Sequence, residues 1–124
     1  MITHITVVGD RQHGKTHILM DQAFLDAAGG ATVLYESPLH RDSEEAFYRA
    51  EALSTKVPWS SLVHRAWRTR GEERITFHSG GSIIFRSQSR CCATEAWPIT
   101  VHVLDGTNSQ PHPEAQRIYR SALR

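Results

Sequence analysis

The chain has 124 residues, a net charge of +1 and 40% hydrophobic residues, which implies one domain with a packed core and excludes a disordered or polyionic protein. No run approaches the ~20 apolar residues of a membrane span, and Met1 leads into strand-like sequence without a basic and apolar leader, so no signal segment is expected. Cys91 and Cys92 are the only cysteines; as sequence neighbours they close no useful loop and are expected to be reduced thiols of a cytoplasmic protein.

The first element is a β-branched strand, His4 to Val8, that stops at Gly9. Four residues lead to Gly14-Lys15-Thr16, where a helical pattern opens. This is G-x-x-x-x-G-K-[ST], the phosphate-loop or Walker A pattern, in the strand–loop–helix setting that gives it meaning. Gly9 and Gly14 let the backbone turn and approach a ligand closely. Between and beyond them, Asp10, Arg11, Gln12, His13 and on to His17 offer successive N–H groups and the positive end of a helix to one anion. Lys15 is placed to reach the β- and γ-phosphates of a nucleotide, and the Thr16 hydroxyl to ligate Mg²⁺. The alternative is a glycine-bearing turn that binds nothing; the full pattern and its flanks argue against it. Arg11 either stabilises charge at the γ-phosphate or points to solvent. His13 and His17 have the spacing of helical metal ligands, but zinc held there would destroy the phosphate geometry.

The helix is expected over Lys15 to Ala28, largely buried, with Asp21, Gln22 and Asp26 on its one narrow polar strip. Gly29-Gly30 ends it. Ala31 to Tyr35 reads as a buried strand closing at Glu36-Ser37-Pro38, which makes a βαβ unit and a parallel sheet. Asp42 and Glu45 resemble a capping box opening a helix that buries Ala46, Phe47, Ala50 and Leu53 and ends before Pro58. A second short helix is expected over Ser60 to Arg70, with Leu62, Val63, Ala66 and Trp67 inward. After Gly71, Arg74 to His78 and Ser82 to Arg86 flank Ser79-Gly80-Gly81, a hairpin signal. Ser87 to Pro98 reads as loop, Ile99 to Asp105 as a strand, Thr107 to Pro113 as loop, and Glu114 to Leu123 as a short final helix. Trp59, Trp67 and Trp97 read as core.

Asp105 ends an apolar strand, which places a carboxylate at the sheet edge where open α/β folds bind ligands. It either holds Mg²⁺ opposite Thr16, directly or through water, or starts the Asp105-Gly106 turn. Hydrolysis also needs a group that orients or deprotonates water, usually a carboxylate. Gly106 occupies the position after the aspartate, and the substitute is Glu36, whose other reading is a solvated residue before a turn. Charge is asymmetric: residues 1–57 carry five basic and eight acidic residues, and residues 58–124 carry nine arginines against five acids. The basic second half permits a nucleic-acid partner, or is a solvated arginine-bearing face.

Arg11-Gln12-His13-Gly14-Lys15-Thr16 resembles the variant phosphate loop of phage terminase large subunits, the DNA-packaging ATPases, in which an Arg-Gln pair precedes x-Gly-Lys-Thr. The segment Ile75 to Ser87 is similar to those proteins' hairpin before the metal-binding strand. The resemblance implies a RecA-like (ASCE) P-loop ATPase in which Lys15 and Thr16 grip phosphate and Mg²⁺, Arg11 is an internal arginine sensor and Asp105 is the metal aspartate. The chain departs from that family at Gly106, where a glutamate is usual, and at Arg90-Cys91, where Arg-Gly is usual. A second resemblance competes: Val33 to Pro38 is similar to the strand of RecA- and DnaB-type ATPases that ends in the catalytic glutamate, which would make Glu36 the base.

Together these readings give an α/β fold: a three-layer, RecA-like P-loop NTPase with a mostly parallel sheet, helices on both faces and one β-hairpin. Residues 1–124 are expected to be a single domain lacking the usual strand after the metal aspartate. The expected activity is Mg²⁺-dependent binding and slow hydrolysis of ATP in DNA packaging or processing. Lys15, Arg11 and Glu36 would be catalytic, with DNA and further copies of the chain as partners and no membrane. The alternative is a nucleotide-binding regulatory or assembly module that does not hydrolyse and needs a partner chain.

Overall fold

The computed structural model describes residues 3–9, 15–69, 72–88, 98–107 and 109–123. In chain order the elements are β1 (Thr3–Gly9), α1 (Lys15–Ala28), β2 (Thr32–Ser37), α2 (His40–Leu53), a 3₁₀ turn (Trp59–Ser61), β3 (Val63–Thr69), β4 (Glu72–Phe77), β5 (Ser82–Ser87), β6 (Val101–Leu104) and β7 (Arg117–Leu123). The strands form one sheet of seven in the order β1-β7-β6-β2-β5-β4-β3. From β1 to β5 every neighbouring pair is parallel, and β4 and β3 add an antiparallel margin. The result is the expected mostly parallel α/β sheet with a hairpin. Its central strands are covered on both faces, which is why Val33-Leu34-Tyr35 and Ile83-Ile84-Phe85 are continuous apolar runs and not alternating ones.

Both helices pack on one face. Leu19, Met20, Ala23, Phe24 and Ala27 of α1 and Ala46, Phe47 and Ala50 of α2 join Val33, Tyr35, Ile83 and Phe85 in a single core. The other face buries smaller clusters, Leu34 with Ile84 and Ile99, and Leu104 with Ala115 and Ile118. Among the described residues no helix lies there, so the expectation of helices on both faces is replaced by two on one face.

Two expected helices are strands. Residues 63–69 form β3, paired antiparallel with β4, and Leu62, expected inward, is 39% exposed. Residues 117–123 form β7, which inserts between β1 and β6 and satisfies its backbone on both sides. A strand therefore does follow Asp105. In both segments the apolar spacing suits either state, and strand pairing, of β3 with the β4 that directly follows it and of β7 with the distant β1, overrides the weak local preference. The polar strip of α1 is also displaced: Ile18 and Leu25 are about half exposed, whereas Asp26 is buried and pairs with Arg117 at 2.7 Å. At α2, Asp42 does not head the helix. It lies in the first turn and accepts the Leu39 N–H at 3.3 Å.

The hairpin is locked to the end of α1. Gly30, at φ +104°, closes a Schellman turn in which Ala31 N–H reaches the Asp26 carbonyl and Gly30 N–H the Ala27 carbonyl, each at 3.0 Å. The Ser79 hydroxyl donates to the same Ala27 carbonyl at 2.9 Å. A Cβ on Gly81 would stand 1.9 Å from that carbonyl oxygen, so only glycine lets the hairpin approach.

Candidate active site

β1 ends at Gly9 and α1 opens at Lys15; Asp10, Arg11, Gln12, His13 and Gly14 lie outside the described residues. One strand, β7, separates β1 from β6, so the first turn of α1 must reach across it to meet the end of β6. It does so through Thr16, whose hydroxyl donates to Asp105 Oδ2 at 3.0 Å. The Tyr35 hydroxyl donates to the same oxygen at 2.8 Å, and Ser121 of β7 donates to Oδ1 at 3.4 Å. Ser121 Oγ in turn accepts the Gly106 N–H at 2.7 Å. Three hydroxyls from α1, β2 and β7 thus converge on one carboxylate. Burial, and then the charge and hydrogen bond of Asp105, push the Tyr35 phenol well above its ordinary value, so it remains a proton donor here.

The pair Thr16–Asp105 fits Mg²⁺. Adjacent oxygens around an octahedral ion with arms of about 2.1 Å are roughly 3 Å apart, and these two are separated by 3.0 Å. A threonine hydroxyl that gives its proton to a carboxylate keeps lone pairs for a cation. Among the described residues no three His, Cys, Asp or Glu side chains cluster to cage a metal. A hard ion here would draw its remaining ligands from water and phosphate.

Glu36 is not brought to this centre. Tyr35 and Glu36 alternate along β2, and Glu36 projects to the opposite face, where it is 3% exposed. Its Oε1 lies 3.2 Å from His102 Nε2. His102 Nδ1 accepts the His112 N–H at 2.9 Å, so the ring proton sits on Nε2 and is donated to Glu36. Burial alone would raise the carboxyl pKa, but the hydrogen bond from His102 and the nearby Ser109 and Thr107 hydroxyls outweigh it and hold it below its usual range. Glu36 therefore anchors the connection between β6 and β7. His17, the last residue of the expected phosphate loop, is exposed on α1 and stands 3.4 Å from Asp21.

A cleft of about 230 Å³ opens beside Asp105, bounded by Thr16, Pro38 and the α2 residues Asp42, Glu45 and Arg49. These α2 side chains, with Tyr35 and Ser121, are what the sequence reading missed. In the sequence Glu45 reads only as part of a cap, Tyr35 as core and Ser121 as helix.

Over 98% of this chain the fold superposes on the ATPase domain of the large terminase of Thermus phage P74-26, with a TM-score of 0.65 and 14% identity. The fold is terminase-like. An arginine-to-alanine variant of the same phage domain gives a TM-score of 0.61 at 14% identity. This chain spans 60% of the length of those domains. No protein-family profile matches the sequence, and no curated protein does. In the terminase-like fold the edge that carries Asp105 also carries the start of α1, so Lys15 and Thr16 open their helix beside it.

Proposed function

We propose that this chain is a P-loop ATPase domain that binds ATP with Mg²⁺ and hydrolyses it slowly to ADP and phosphate, in the service of DNA packaging or processing in the cytoplasm. The observation that carries the reading is the Thr16–Asp105 contact at 3.0 Å, the meeting of the two side chains a phosphate-loop enzyme needs for its metal. Thr16 and Asp105 would hold Mg²⁺, which when bound neutralises charge on the β- and γ-phosphates. The backbone from Gly9 to His17 would wrap the phosphates, with Lys15 and Arg11 countering the negative charge that builds on the γ-phosphoryl group. Tyr35 and Ser121 hold the Asp105 carboxylate by hydrogen bonds to both of its oxygens. DNA and further copies of this chain are the partners proposed for it, the first in keeping with the terminase-like fold. The arginines of the second half would meet the backbone phosphates, so DNA affinity should fall steeply with added salt.

A non-hydrolysing regulatory or assembly module is the second reading. It is favoured by the burial of Glu36 on the far face and by glycine at position 106. Calorimetry with ATP and Mg²⁺, with phosphate release measured in parallel, separates the two. Wild type should bind, and Lys15→Ala should lose both heat and turnover. Binding without release selects the module, and no binding by the wild type refutes both.

A further inference from the structure

If ATP is the ligand, as proposed above, its site has a second wall that the phosphate-loop pattern does not contain. α2 stands over the carboxyl edge of β2, and Asp42, Glu45 and Arg49 lie on one stripe of it, bordering the same cleft as Thr16 and Asp105. The three have different engagements. Asp42 is occupied by the Leu39 N–H. Glu44, off the stripe, pairs with His40 and Arg68 at 3.6 Å each. Among the described residues, the side chains of Glu45 and Arg49 make no hydrogen bond or ion pair. Arg49 is close enough for its charge to act on the Tyr35 hydroxyl, which is itself bonded to Asp105. An uncommitted carboxylate and an uncommitted guanidinium one turn apart thus face the metal aspartate across a cleft.

The two positions from which a β-strand would usually deliver the water-activating acid are both closed. Glu36 is buried on the other face, and residue 106 is a glycine at φ +76°, a conformation that side-chain-bearing residues rarely adopt. We propose that Glu45 is the general base of this ATPase and that Arg49 stabilises the γ-phosphoryl charge beside it. In the step, the water oxygen bonds to the γ-phosphorus while the bond from that phosphorus to the β,γ-bridging oxygen breaks. The bond pair leaves with ADP. Glu45 takes one water proton and passes it to the phosphate formed. Arg49 donates N–H groups to the γ-phosphoryl oxygens and is unchanged at the end.

The test compares wild type, Glu45→Gln, Arg49→Ala and Glu36→Gln as full chains, reading phosphate release and, separately, binding of a nonhydrolysable ATP analogue with Mg²⁺. Glu45 is exposed, so its amide variant should keep the fold, which circular dichroism checks. The expected result is analogue binding within about twofold of wild type with phosphate release lowered ~10²-fold or more in Glu45→Gln. Arg49→Ala should also release phosphate more slowly, and Glu36→Gln should retain turnover. Wild-type turnover in Glu45→Gln overturns the assignment while leaving the ATP reading intact. So does a wild type that binds the analogue but releases no phosphate, because the proposal places the base within this chain. A wild type that does not bind the analogue removes the ATP reading and this assignment with it.

Discussion

Replacing Glu36 distinguishes an anchor from a catalyst. Glu36→Ala removes the acceptor of the His102 Nε2–H, a bond of 3.2 Å between side chains that are each 3% exposed. A buried donor left without a partner costs about 1–3 kcal/mol, and a bond to an ionised acceptor is at the upper end. We therefore expect about 3 kcal/mol from the alanine variant, which for a chain of this size lowers the melting temperature by roughly 10 °C. Glu36→Gln keeps a carbonyl oxygen for His102 and should cost only about 1 kcal/mol. The carboxyl is held below its usual value of 4.5 in the fold, so its contribution to stability is full above that pH. It disappears as the pH falls through the lower, folded value. Thermal unfolding followed by circular dichroism should show a gap between wild type and Glu36→Gln that is constant near neutrality and narrows below about pH 4.5. A glutamine variant that unfolds like wild type at every pH, yet binds nucleotide without releasing phosphate, would refute the reasoning.

Gly81→Ala should destabilise the fold by about 2–3 kcal/mol, the cost of overpacking against backbone that cannot yield, and a chemical denaturation curve reads it; an unchanged midpoint would mean that the hairpin does not press on Ala27. Because Tyr35 is buried against Asp105, its phenol should stay protonated well above pH 10, so Tyr35→Phe should leave the tyrosinate absorbance at pH 10.5 unchanged. Gly106→Glu should not raise phosphate release, and it should cost about 1 kcal/mol of stability, since the backbone there sits in the left-handed region.

Much of this architecture was legible because it rests on local chemistry. The bounds of α1 follow from Lys15 after a glycine and from Gly29-Gly30, and the hairpin follows from Ser79-Gly80-Gly81 between two β-branched runs. β3 and β7 were not legible for different reasons: β3 pairs with the β4 directly after it but has an apolar spacing that also suits a helix, and β7 is made a strand by a partner elsewhere. β7 is held by β1, more than a hundred positions earlier in the chain, where Thr3 pairs with Arg117 and Gly9 with Leu123. The face of Glu36 was half legible. Alternation separates it from Tyr35, but only the register, in which Tyr35 pairs with Val103 and Glu36 with Leu104, sets Tyr35 on the side of Asp105.

That register also explains why the site opens where it does. Neighbouring strands are about 4.8 Å apart, so placing β7 between β1 and β6 puts Asp105 roughly 10 Å from the line of β1. Thr16 covers that offset because α1 lies across the sheet, in contact with β7, β6 and β2 as well as β1. Asp105 is then approached by α1 through Thr16, by β7 through Ser121 and by β2 through Tyr35. Among the described residues, a cleft beside Asp105 opens over the end of β2, where the chain turns at Pro38 into α2. Among the described residues, the α2 carboxylate that borders this cleft without a side-chain hydrogen bond or ion pair is Glu45, which is why the proposal rests on that helix.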